Sequence, residues 1–299
     1  MSSLDRGRDG EMELPDLQAD ARVGEAIARA LAEDVGDGDV TTLALVDPEA
    51  VAVGEIECRE GCRVAGGAVA AAVLKAVDPE IEVKMEVADG RDAVAGTSLL
   101  TFSGRAGSIL TAERTALNFM QRMCGIATLT AKFARAVEPW GTMILDTRKT
   151  TPGMRVFEKY SVLCGGGTNH RFGLFDRVLM KDNHRRLWRG GDPNRLDQAV
   201  AAARERFPGV VVEVEVESIA ELESALRGKP EWIMLDNMSC ELMAECVAIT
   251  NGAALLEASG GITLERAAAV AATGVDAISL GCLTHSAVAI DLALEWRVA

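Results

Sequence analysis

From Trp140 onward the chain repeats one unit: a short apolar strand, a polar loop, then an Ala-rich helix. The strand patterns read MILDT (143–147), VLM (178–180), VVVEVEV (210–216), WIMLD (232–236), ALLEAS (254–259) and AISLG (277–281). Between the later strands lie LDQAVAAARERF, AELESALRG, ELMAECVAIT and LERAAAVAATG. Alternation of this kind predicts right-handed βαβ units and a parallel sheet, either closed into a barrel or doubly wound. A parallel sheet must be covered on both faces, and small aliphatic residues suit helices laid on it. The composition agrees: 48% of residues are hydrophobic but only 4% are aromatic. In either arrangement the site is expected just after the strands. No G-x-G-x-x-G follows any strand, GGGTNH (165–170) has a different spacing, and no P-loop is present. The usual dinucleotide and ATP sites are therefore not expected.

The first part of the chain has another rhythm. Residues 1–14 are polar and expected to be loose. An amphipathic helix is predicted over 23–31, followed by a turn-rich stretch, EDVGDGDVTT, at 33–42. Strands follow at 51–58 and 63–65, a helix at 68–77, and strands near 81–87 and 98–103. That order predicts a small α+β unit. From 108 to 137 the pattern is helical, with Leu110, Leu117, Met120 and Met123 or Cys124 at three- and four-residue spacing. Gly125 is expected to divide this stretch into two helices. The domain boundary is placed here, giving domains at 1–120 and 121–286. Residues 288–296 alternate weakly, so the tail, 287–299, is expected to return to the first domain as an edge strand.

The formal net charge of -14, with no Lys/Arg block interleaved with aromatics, argues against a nucleic-acid partner. The N-terminus has no apolar signal region and no apolar run is long enough to cross a bilayer, so a cytoplasmic protein is expected. Seven cysteines are scattered, and Cys58 and Cys62 lack a second pair at metal-ligand spacing. They read as reduced thiols.

Against that acidic background, residues 145–184 form a positive island. Arg148, Lys149, Arg155, Lys159, Arg171, Arg177 and Lys181 outnumber Asp146, Glu158, Asp176 and Asp182. Arg and Lys gathered in this way suit a multiply charged anion, since both pair with carboxylates and phosphates. The bland alternative is a solvated, salt-bridged surface. The VEVEVES run (212–218) favours the site. Period-2 alternation sends Val212, Val214 and Val216 to one face and Glu213, Glu215 and Glu217 to the other. If the valines meet the helices, the glutamates point into the interior, where they need Arg, Lys or a metal. The alternative is an edge strand with a solvated acidic face.

Asp236 ends the next strand. With Glu215 it makes an oxygen-rich pair at neighbouring strand ends, which suits Mg2+; alternatively it is a helix N-cap, a role Asn237 or Ser239 could also fill. SGGI (259–262) precedes a helix and offers backbone N–H groups to a phosphate. SLGCLTHS (279–286) adds a second glycine turn, with Thr284 and His285, after the last strand. His170, beside Arg171 after three glycines, is a site candidate, whereas His184 reads as structural. Arg114, near the start of ERTALNFMQ (113–121), is by its position an ordinary solvated arginine.

Taken together, EDVGDGDVTT, ERTALNFMQ, DTRKTTPGMR with EKYSVLCGGGTNHR, VLMKDNH, VEVEVES, IMLDNMS, EASGGI and SLGCLTHS closely resemble the quinolinate phosphoribosyltransferases, the decarboxylating nicotinate-nucleotide pyrophosphorylases of NAD biosynthesis. These motifs span nearly the whole chain in one order. The resemblance implies an N-terminal α+β sandwich-like domain and a C-terminal open α/β barrel. It also implies a homodimer in which one subunit's N-terminal domain closes the other's barrel mouth.

By the same resemblance, Arg148 and Arg171 would grip the two carboxylates of quinolinate, with His170 beside them and Arg114 reaching in from the partner subunit. Lys149 and Lys181 would contact phosphoribosyl pyrophosphate and the reacting pyridine. Glu215 and Asp236 would engage the ribose hydroxyls and Mg2+. Ser259, Gly260 and Gly261, together with Gly281, Thr284 and His285, would hold the 5′-phosphate. The segments 187–195 and 172–176 depart from the family's wording without removing a charged site residue. Three rivals remain at this point: a related phosphoribosyltransferase of the kind associated with molybdate-transport loci, a non-catalytic sensor of a phosphorylated ligand, and a two-carboxylate glycosidase. The dense basic cluster counts against the last.

Overall fold

A computed structural model describes residues 14–297. The expectation of a loose N-terminus over 1–14 lies outside that range except at Leu14, which is partly buried against the core of the first unit. In chain order, α1 (Ala21–Val35) and α2 (Val40–Leu45) precede β1 (Val51–Cys58), β2 (Cys62–Arg63), α3 (Gly67–Val77), β3 (Glu82–Met85), β4 (Asp92–Ala93), β5 (Thr97–Arg105) and the long α4 (Ala106–Val137). Next come β6 (Met143–Leu145), α5 (Arg155–Cys164), β7 (Val178–Met180), α6 (Asp182–Leu187), α7 (Leu196–Arg206), β8 (Val212–Val216) and α8 (Ile219–Gly228). The chain closes with β9 (Trp232–Asp236), α9 (Cys240–Thr250), β10 (Leu255–Ser259), α10 (Leu264–Ala271), β11 (Ala277–Ser279), α11 (Cys282–His285) and β12 (Leu292–Arg297).

Two compact units result, one of residues 1–131, 150–166 and 282–299, the other of 132–149 and 167–281. The first is built on an antiparallel sheet in the order β12-β1-β5-β3, with β12 at the edge beside β1. Its core is dry. Leu99, Leu100 and Phe102 of β5 pack with Val69, Val73 and Leu74 of α3, Ile109, Met120 and Met123 of α4, and Phe157 of α5. α1 contributes Val23, Ala26 and Ile27, one stripe at helical spacing. Asp20 caps its first turn by accepting from the Arg22 amide.

Two readings of this unit need correction. Residues 40–45 form a helix rather than a continued turn, because Asp39 accepts from the Thr42 amide and caps it. Gly125 does not break α4, which runs unbroken through it. A Cβ there would stand 2.1 Å from the Val288 carbonyl oxygen, so glycine serves the close approach of another backbone segment. α5, which no periodicity announced, is buried along most of its length.

The second unit holds six parallel strands in the order β6-β11-β10-β9-β8-β7. From β7 to β11 each strand lies beside its sequence neighbour, and the first strand returns to lie beside the last. A doubly wound sheet would reverse its order partway, whereas this progression is that of a barrel. No ladder joins β6 to β7, so the barrel is open. Thr168 extends the β6 side through a parallel bridge to Leu145, its amide donating to the Ile144 carbonyl at 2.7 Å. All five residues of β8 are buried, the glutamates with the valines. Glu217, expected on the same inward face, lies past the strand end and is exposed. Among the described residues no helix is long and apolar enough to cross a membrane.

Candidate active site

The open barrel brings charged groups from separate strands into one neighbourhood. At the end of β6, Asp146 is wholly buried and its Oδ1 accepts from the His170 amide at 2.8 Å. That bond anchors the glycine-rich segment carrying His170 and Arg171. The His170 ring points inward, with Nε2 3.0 Å from Glu213 Oε2 of β8 and 3.2 Å from Glu257 Oε2 of β10. Its Nδ1 accepts from the Arg171 amide at 2.7 Å. Arg177 lies 3.1 Å from the same Glu213 oxygen and stacks 5.2 Å over the Trp232 ring, and Trp232 is the cross-strand neighbour of Glu213.

The electrostatics follow from burial. Desolvation alone would lower the pKa of His170, but the two glutamates raise it to about 9. Burial, reinforced by the charge of Glu213, raises Glu257 to about 7. Glu213 is driven up by burial, yet its hydrogen bond and charge interaction with His170 and the charge of Arg177 bring it below the usual value. Arg171 is lowered first by burial and then by repulsion from Arg148. The Arg171 guanidinium also donates to the Arg177 carbonyl at 3.2 Å.

Further along the strand ends, Lys181 forms an ion pair with Glu215, whose side chain is 8% exposed. Asp236 ends β9 and accepts from Asn237 Nδ2 at 2.7 Å. Ser239, and not Asp236, caps α9, its hydroxyl accepting from the Leu242 amide, so the alternative role for Asp236 falls away. Lys149 is exposed in a turn held by Thr147. His184 is also local: its Nδ1 accepts from the Lys181 amide at the start of α6.

The SGGI turn owes its form to Gly260, at φ 100°, where a Cβ would stand 2.1 Å from Asn237 Oδ1. That packing ties the Ser259–Gly261 turn to the residue after Asp236. In the first unit, α11 places Thr284 wholly inside and His285 at the surface, with Nδ1 2.6 Å from Ser286 Oγ. Gly281 is assigned to the second unit. Arg114 is an exposed residue of α4, 3.9 Å from Glu113.

The family is decided by comparison. A model of the quinolinate phosphoribosyl transferase C-terminal domain matches residues 126–295, and one of the N-terminal domain matches 39–124. This chain belongs to the quinolinate phosphoribosyltransferase family. It is 41% identical over 288 residues to a carboxylating nicotinate-nucleotide pyrophosphorylase of Mycobacterium leprae, covering 94% of this chain and 99% of that one. It is 40% identical over 285 residues to a decarboxylating quinolinate phosphoribosyltransferase of Nicotiana tabacum, covering 90% and 81%. A solved nicotinate-nucleotide pyrophosphorylase from Francisella tularensis matches with a TM-score of 0.88 and 39% identity, over 92% of this chain and 96% of that one.

Sequence reasoning missed four members of the polar framework. Arg177 was counted in the positive island but given no role. Glu257 went unremarked, although a lone glutamate among the apolar residues of ALLEAS carried the same signal as Glu215. Arg122 and Glu158, both in the first unit, form an ion pair at 2.9 Å. Glu158 is nearly inaccessible and accepts from the Thr151 amide and hydroxyl, while Arg122 donates to the Thr284 and Ala287 carbonyls. One ion pair thus holds both the TTPG turn and the segment after α11.

Proposed function

We propose that this chain transfers the phosphoribosyl group of phosphoribosyl pyrophosphate to quinolinate, giving nicotinate mononucleotide, pyrophosphate and CO2. The observation that carries this reading is one barrel interior that holds the Lys181–Glu215 pair and, beside the His170–Glu213–Arg177 cluster, the backbone from which Arg171 projects. A dicarboxylate and a polyphosphate each require more than one cation, and the relatives' names supply the substrate.

In this reading Arg148 and Arg171 hold the two carboxylates and orient the pyridine nitrogen. Lys149 and Lys181 face the donor and the reacting ring, with His170 behind Arg171. The nitrogen forms a bond to the anomeric carbon as the carbon–oxygen bond to pyrophosphate breaks, the electron pair leaving with pyrophosphate. Glu215, at a β8 position with its side chain almost wholly buried, stabilises the oxocarbenium-like carbon. The pyridinium then accepts the electrons released when the adjacent carboxylate departs as CO2, and the ring carbon takes a proton.

The Ser259–Gly261 turn, with Gly281 in the same unit, would hold the 5′-phosphate. Glu215 and Asp236 offer only oxygen donors, a set that fits Mg2+ with phosphate oxygens and water completing it. When bound, Mg2+ neutralises charge on the pyrophosphate. A homodimer with Arg114 serving the partner's site is supported by the exposure of Arg114 and by the uncovered apolar residues Val40, Leu43 and Leu45 of α2. A cytoplasmic setting is supported by seven free thiols.

The test is CO2 release from quinolinate with and without the ribosyl donor and Mg2+. Release that requires both is expected. Donor binding without turnover of quinolinate would instead make the protein a sensor, and turnover of a different acceptor would reassign the substrate.

A further inference from the structure

The His170–Glu213–Glu257 cluster lies inside the barrel. One atom from each residue lies within 4.8 Å of the others, and all three residues are buried. Neither oxygen of Glu257, nor Oε1 of Glu213, makes a well-formed hydrogen bond, although His170 Nε2 stands 3.2 Å from Glu257 Oε2. Buried carboxylate oxygens in that condition call for a metal ion or a proton.

The geometry favours the proton. Arg177 already lies 3.1 Å from Glu213 Oε2 and 3.3 Å from His170 Nε2, so a guanidinium fills the side from which a cation would approach. With Glu213 ionised and Arg177 charged, the cluster reaches neutrality by taking one more proton, on His170 or on Glu257. The Arg171 amide hydrogen points at His170 Nδ1 from 2.7 Å, and a second ring proton would break that bond. The two glutamates favour a charged ring and raise the pKa of His170 to about 9, but a hydrogen on Nδ1 would face the Arg171 amide hydrogen. The geometry therefore puts the ring hydrogen on Nε2, facing the two carboxylates, and the further proton on Glu257. Ser279 is buried on the neighbouring strand β11.

We infer that Glu257 is a positioning residue acting as a neutral carboxylic acid, which locks the His170 imidazole as its Nε2–H tautomer and so fixes the amide from which Arg171 projects. The effect on turnover rests on the reading of Arg171 as a carboxylate clamp, whereas the location of the proton does not. Buried proton, inward-facing ring and the Arg171 backbone then form one connected device. His170 acts through Arg171, because both of its ring nitrogens are engaged by the protein.

The chain has three histidines, so each can be assigned by 15N-histidine NMR on the intact protein with single His→Gln controls. A neutral Nε2–H form of His170 at neutral pH is expected, and a His170 imidazolium there would overturn the inference. In kinetics, Glu257→Ala is expected to raise the quinolinate KM about tenfold with a smaller change in kcat, and the isosteric Glu257→Gln to recover most of that loss. A Gln variant as impaired as the Ala variant would show that a negative charge is needed and would overturn it. Stoichiometric metal in the purified protein that Glu257→Gln abolishes would do the same. If the wild type fails to turn over quinolinate, the proposed function falls while the NMR result still decides where the proton lies.

Discussion

The two sheets of this molecule solve opposite problems. The antiparallel sheet of the first unit turns one face to a continuous apolar core, and its strands keep their charges outside. The parallel strands of the second unit admit Glu213, Glu215 and Glu257 to their interior, with His170 and Asp146 beside them. The first arrangement gains stability from burial of apolar surface. The second accepts desolvation of charge, which no apolar contact offsets, and balances it with Arg177, Lys181 and the His170 ring. Interior charge is what gives the open barrel something to offer an anionic substrate.

The sharpest way to break the comparison is at the substrate end. Arg171→Ala is expected to lower kcat/KM for quinolinate by about two to three orders of magnitude with the fold intact by circular dichroism. Near-normal kinetics in that variant would remove the clamp and leave the second unit's charges unexplained.

Next in size are two stability tests, one per sheet. Leu100→Ala, at a fully buried core position, is expected to cost about 2–5 kcal/mol in denaturant unfolding. Arg177→Met is expected to cost about 3–5 kcal/mol despite conserving bulk, because it strips Glu213 of a buried partner. An Arg177→Met variant as stable as wild type would mean that the barrel charges are not a burden requiring compensation.

The pH dependence separates the sheets further. Glu257 has its pKa raised from 4.5 to about 7, so the folded state holds a proton that the unfolded chain has released. Its contribution is fully present below about pH 4.5, is lost as pH climbs towards 7, and levels off above that. Relative to Glu257→Gln, the wild type should therefore lose about 3 kcal/mol across that interval. A flat difference would place the proton elsewhere. The smallest expected effect is Gly125→Ala. Helix propensity alone would stabilise α4 by about 1 kcal/mol, yet the Val288 carbonyl in the way predicts a net loss of about 1–3 kcal/mol.

Particular residues show what could be read in advance. The alternation in VEVEVES led directly to buried Glu213 and Glu215, because period-2 geometry is a property of the strand itself. Gly125 misled, since a glycine that ends a helix and one that admits a neighbouring backbone look alike in one dimension. Glu257 was passed over for a related reason: its meaning lies in His170 and Glu213, which come from other strands and loops.

By itself the sequence determined the repeating strand-and-helix order, the inward glutamates and the basic motifs, because local periodicity and composition are written residue by residue. Tertiary structure decided that the sheet is an open barrel, that His170 faces inward between two carboxylates, and that Arg122 and Glu158 join two loops. Those facts depend on strand order and on contacts between residues far apart in the chain, where burial and charge balance settle which pairs form.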